Sequence, residues 1–185
     1  MKIDFYYWGD QCPHNSVIKE ILKSFEDNDD YQINFIDISD NRDIARELDI
    51  YSPSLLIFED TLRWHGPISK STIQDIYNGD IPEREPYKIE LSTDRFMGDL
   101  SPLTEKTCTL TAGPCGISNK SYCQDKAEWV EGIKEEFDLP HLGILHFEEG
   151  ECIGGAEYVP SVIVPYHIPR REDTAFLTCS YLSSS

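Results

Sequence analysis

The chain is short of positive charge. Sixteen lysines and arginines stand against 34 aspartates and glutamates in 185 residues, a formal net charge of −18. Such a field repels polyanions, which argues against nucleic acid or an anionic membrane as partner. No apolar run approaches the roughly 18 residues a spanning helix needs. The first thirty residues hold no basic stretch followed by an apolar core and a small-residue cleavage site. The expected location is therefore cytoplasmic, with the six cysteines mostly reduced. They stand at 12, 108, 115, 123, 152 and 179, with no Cys-x-x-Cys pair among them, so no zinc knuckle and no metal site is expected. Cys115 and Cys123 flank an irregular stretch where a reversible disulfide is an alternative to incidental free thiols. Repeats are absent, and the only low-complexity tract is the serine tail. What remains is 39% hydrophobic and 11% aromatic, enough for a packed core. A length of 185 residues suits one large domain or two small ones.

The segment that organises the first half is Tyr6-Tyr7-Trp8-Gly9-Asp10-Gln11-Cys12-Pro13-His14-Asn15. An apolar run from Ile3 to Trp8 ends in Gly-Asp. Beyond it Val17, Ile18, Ile21, Leu22 and Phe25 recur with helical spacing. This reads as strand, tight turn, then Cys12 at a helix N-terminus with Pro13 one position inside, where a missing N–H costs nothing. The positive end of the helix dipole should ease formation of the Cys12 thiolate, and the neighbouring His14 either adds to that or is an exposed side chain on the first helical turn. Cys12-Pro13-His14 resembles the first three residues of the Cys-Pro-His-Cys active site of thioredoxin-like oxidoreductases. The fourth position is Asn15, so the resolving thiol is missing and dithiol turnover is excluded unless a distant cysteine serves. Cys12 is then either a lone nucleophile or a remnant on a scaffold.

Ile33, Phe35, Ile36 and Ile38 form a second strand, apolar enough for burial on both faces. Ser39-Asp40-Asn41 caps a short helix carrying Ile44 and Leu48. Residues 54–58 make a third strand after Ser52-Pro53, and Leu62 to Trp64 a fourth. A helix with Ile73, Ile76 and Tyr77 follows, with Gly79 as its stop. The order βαβαββα over residues 1–79 resembles a complete thioredoxin-like domain. That resemblance implies a cis Ser52–Pro53 bond close to Cys12, and a substrate surface of Trp8, Pro13, His14, Ser52 and Pro53 for a thiol or peptide ligand.

Residues 80–86, charged and with two prolines, read as a linker. Beyond them Tyr87 to Leu91 is a strand candidate, Asp99 to Lys106 a short helix, and Thr107 to Tyr122 a long ordered loop. A helix spans Gln124 to Phe137, with Ala127, Trp129, Val130, Ile133 and Phe137 inward. Residues 142–147 and 152–160 read as a hairpin, 161–173 as a proline-rich connection, and 175–182 as a last strand. Cys115-Gly116-Ile117, Asp125-Lys126 before Trp129, Gly154-Gly155-Ala156-Glu157-Tyr158-Val159-Pro160, and Phe176-Leu177-Thr178-Cys179 resemble the first half of a GNAT-type N-acetyltransferase. The nearest likeness is to a bacterial YoaP-like branch that also carries a thioredoxin-like segment. The fold class expected is α/β: a thioredoxin-like domain followed, over 87–185, by a partial GNAT-like α+β domain with a mostly antiparallel sheet. The resemblance implies acetyl-CoA as cofactor of a completed fold and a small amine as acceptor. Glu157 is then a general base, set against a solvated carboxylate, and Tyr158 a wall of the acceptor pocket, set against a core aromatic. The Arg/Gln-x-x-Gly-x-Gly/Ala loop that holds the cofactor pyrophosphate at a helix start is absent from the 185 residues. The chain alone is therefore not expected to transfer acetyl groups. An open edge on the last strand would suit a homodimer unless something covers it.

Overall fold

In the computed structural model, residues 1–83 and 98–182 are described; the expected strand at 87–91 and the rest of the linker beyond Glu83 lie outside them. The described residues form two four-stranded sheets and four α-helices. The first sheet is built from β1 (Lys2–Tyr7), β2 (Gln32–Asp37), β3 (Ser54–Phe58) and β4 (Leu62–His65), in the order β2-β1-β3-β4. α1 (Pro13–Lys23) carries the chain across so that β2 runs parallel to β1, while β3 and β4 run antiparallel. α2 (Arg42–Glu47) and α3 (Lys70–Tyr77) complete this half. Asn41 and Ser69 cap them through bonds to the N–H groups of Ile44 and Thr72, as short polar side chains do at helix starts.

Alternation along the strands assigns the two faces. Ile3, Phe5, Leu56 and Phe58 pack with Ile18 and Leu22 of α1 and Ile73 of α3. Leu55 and Ile57 point the other way, to Ile38, Ala45 and the second sheet. All five residues of β3 are buried. The double burial expected of the second strand belongs to β3 instead. β2 is an edge strand, with no residue of Gln32–Asp37 fully buried, because position in the sheet outweighs composition.

The second sheet is antiparallel, in the order β5 (Asp99–Pro102), β6 (Gly143–Glu148), β7 (Glu151–Pro160) and β8 (Ala175–Leu182). The short helix expected at 99–106 is a strand over its first four residues. Pro102 fits there because its missing N–H falls on an edge. The stretch expected as a loop folds partly as a 3-10 turn over Cys108–Ala112. α4 (Tyr122–Glu136) lies on one face and begins two residues earlier than its apolar pattern shows. The hairpin and the last strand stand where the pattern put them. A single apolar cluster joins Trp8, Ile38, Leu55 and Ile57 of the first half to Leu103, Val130, Leu142, Leu145 and Val159 of the second.

β6 and β7 approach so closely that Gly143 has no room for a side chain: an added Cβ would stand 2.5 Å from the Ala156 carbonyl oxygen. Gly143→Ala should therefore destabilise the chain by about 1–3 kcal/mol, as overpacking against backbone does. Gly132, exposed within α4 with open space around it, should gain about 0.5–1 kcal/mol on Gly132→Ala. Urea midpoints of the two variants, moving in opposite directions, are the check; equal shifts would contradict the packing described.

Candidate functional site

The β1–α1 turn places Cys12 at the N-cap of α1, extended at φ −121° and ψ 127°, with Pro13 in the first turn, as the sequence implied. Asn15, in the place of the absent thiol, is fully buried. Its amide donates to the carbonyls of Gly9, at 3.0 Å, and Trp8, at 3.4 Å. Asn15 thus ties the turn to the helix.

Facing the turn are α4, β7 and β8. Lys126 is 3% exposed, and its ammonium donates to both carboxylate oxygens of Glu157 at 2.5 and 2.6 Å. Lys126 occupies the inner stripe of α4 between Cys123 and Val130, all three buried, at the 3- and 4-residue spacing that shares a helix face. Glu157 lies opposite Cys179 in the β7–β8 register. Burial disfavours the charge on Lys126, but the Glu157 carboxylate more than offsets this and holds the ammonium above its ordinary range. Of the two roles weighed for Glu157, neither fits: it is no solvated carboxylate, and both of its oxygens are engaged by Lys126.

Around this ion pair burial raises the thiols. Cys108, Cys115 and Cys179 are each pushed up to about 12. Cys12 is also raised by burial, with the Lys126 charge opposing. The expected easing of the Cys12 thiolate is therefore reversed. The dipole of α1 and the Lys126 charge both favour the anion, but Glu157 neutralises that charge and surrounding atoms displace the water a thiolate needs. His14 gives no help. Burial lowers its pKa, and its Nε2 lies 2.9 Å from the Cys115 carbonyl oxygen. An oxygen of that kind only accepts, so Nε2 carries a proton and donates it there. All six cysteines are free thiols.

The remaining residues expected at a substrate surface are dispersed. Trp8 is 3% exposed, edge-on to Trp129 and Tyr166 at ring-centroid separations of 5.9 and 5.4 Å. Pro13 is buried. The Ser52–Pro53 bond is trans, not cis. The Pro53 carbonyl accepts from the Trp8 N–H at 3.0 Å, continuing the β1–β3 pairing by one residue. Ser52 Oγ bonds the Ser54 carbonyl and lies 2.9 Å from His65 Nδ1. The face of the turn that would receive a thiol or peptide is covered by α4, through Ser16–Asp125 and Tyr122–Glu20 hydrogen bonds. Tyr158 is half-buried, and its hydroxyl lies 2.8 Å from His141 Nδ1.

Two site residues escape a reading of the sequence. Lys126 has the signal of its position on an apolar helix stripe, obscured by its charge among acidic neighbours. His141 has none, because its partner Tyr158 is 17 residues away across the β6–β7 hairpin. On the opposite face of the second sheet, away from α4, Leu100, Ile144, His146, Ala156 and Leu182 line an apolar groove of about 350 Å³. Among the described residues no three His, Cys, Asp or Glu side chains gather as a metal-holding group, and no helix is long and apolar enough to cross a membrane. Comparison with family models, curated proteins and solved structures finds no match.

Proposed function

We propose that the chain is a GNAT-type N-acetyltransferase-family protein in which a thioredoxin-like unit has become a scaffold for the transferase-like half. The observation that carries this reading is the antiparallel β5-β6-β7-β8 sheet with α4 on one face, its third strand bearing Glu157-Tyr158-Val159-Pro160. The raised Cys12 thiol and the α4 cover over its turn favour the scaffold role over a thiol- or peptide-binding module. In such a protein acetyl-CoA supplies an activated acyl group to an amine. In a completed fold the acceptor amine would take the acetyl group with release of the CoA thiol, and a side chain of this chain would have to receive the amine proton. Glu157 is spent on Lys126. The hydrogen-bonded Tyr158–His141 pair, neither member fully buried, is the better relay to receive that proton. Without the pyrophosphate loop, transfer by these 185 residues alone is not expected.

Calorimetric titration of the 185-residue chain with acetyl-CoA and CoA tests the reading. Saturable binding of both by a chain with native circular dichroism is the expected result. A folded chain that binds neither would overturn it.

A further inference from the structure

A second feature lies apart from the buried ion pair, where α2 meets the segment after Ile163. Arg42 and Arg46, four residues apart on α2, share a cleft of about 300 Å³ with His167 and Arg170. The Arg42 guanidinium donates to the Val162 carbonyl at 2.9 Å, and Arg170 donates to the Val164 carbonyl. Arg42 is thereby held by the backbone of the facing segment and Arg170 by that of its own, each keeping most of its five N–H donors for other acceptors. Arg46 pairs with Asp43 at 3.0 Å, and Asp43 is the single carboxylate in the lining. Three guanidiniums thus face one carboxylate in a chain whose net charge is −18. A chain with 34 acidic residues has ample carboxylates to neutralise such a cleft, yet the lining stays two charges positive. Like charges held together cost free energy unless an anion joins them. Guanidinium forks match the oxygen geometry of phosphate, two N–H groups to two oxygens. Tyr166, 3% exposed, forms the floor of the cleft.

We propose that this cleft is an oxyanion site that takes the phosphate group of a small phosphorylated ligand, with Arg42, Arg46 and Arg170 as its donors. The inference rests on the cleft alone and does not require the acyl-transfer reading.

The probes are inorganic pyrophosphate and inorganic phosphate, titrated calorimetrically into the full chain against sodium chloride of matched ionic strength. One saturable site is expected for pyrophosphate, with phosphate weaker and chloride silent. Arg46→Gln, which removes a guanidinium that holds no backbone carbonyl, should weaken pyrophosphate binding about tenfold, the loss of one charge-assisted contact. Lys120→Gln, outside the cleft, should leave it unchanged. Absence of saturation at millimolar pyrophosphate, or equal binding by Arg46→Gln and the parent, would overturn the proposal. Pyrophosphate binding with no acetyl-CoA binding would retain the oxyanion site while removing the acyl-transfer reading.

Discussion

Glu157→Ala should destabilise the protein by about 3–5 kcal/mol, the cost of leaving a buried ammonium without its counter-charge. Lys126 is 3% exposed and both of its short hydrogen bonds end on Glu157, so no water stands ready to replace the carboxylate. The size of the effect does not measure the worth of the pair. Taking two charges out of water costs nearly as much as their attraction returns, and well-packed apolar substitutes often equal or exceed such a pair. The double variant Lys126→Met with Glu157→Leu should accordingly recover most of the loss. Urea unfolding of the two single variants and the double completes the cycle. A Glu157→Ala loss below about 1 kcal/mol would mean the pair is hydrated in solution and the buried site is wrongly described.

Native Cys12 should react with iodoacetamide at neutral pH more slowly than a free cysteine, because burial raises its thiol. Each unit by which burial raises the thiol removes about nine-tenths of its thiolate, which is the reacting form. Peptide mass spectrometry after timed alkylation, native against urea-unfolded, is the measurement. Preferential labelling of Cys12 in the native chain would reverse the account and restore it as a nucleophile. The same chemistry gives the fold an alkaline limit. Cys108, Cys115 and Cys179 stay protonated in the folded chain up to about 12, against an ordinary value of 9.0. Their contribution is whole below that ordinary value and is lost as pH rises toward 12, because the unfolded chain releases protons the folded one keeps. The slope is about 1.4 kcal/mol per pH unit for each thiol so placed. Lys126, with its pKa raised, acts in the same direction, its contribution fading once pH passes the ordinary lysine value. Stability that rose between pH 9 and 11 would contradict both assignments.

Much of the architecture was open to reading from residue order. The turn at Gly9-Asp10, the first-turn Pro13, the caps at Asn41 and Ser69 and the span 175–182 all rest on local signals, and local signals are what a sequence carries. The errors share one cause. β2 is an edge strand although its composition is that of a centre, and Asp99–Pro102 pairs with β6 although four residues ending in a proline carry too short a pattern to mark a strand. In both cases the neighbour decides, and the neighbour is distant in the chain. The site follows the same rule more severely. Cys12 sits at its helix start as expected, but its acidity is set first by burial under elements more than a hundred residues on, with the Lys126 charge opposing. Ser52–Pro53 is trans, the ordinary state of such a bond, and the Pro53 carbonyl pairs with Trp8, a partner that no dipeptide shows.

The apolar cluster running from Trp8 and Leu55 to Val130 and Val159 has a genetic consequence. Strands near each end of the sequence furnish opposite walls of the same interior, so neither sheet can drift independently. A change of bulk at Trp8 alters the space available to Trp129 and Tyr166, and its compensating change lies over a hundred codons downstream. Recombination between diverged copies would separate such matched walls most often when the crossover falls between the two sheets, even though that is where the chain looks easiest to cut.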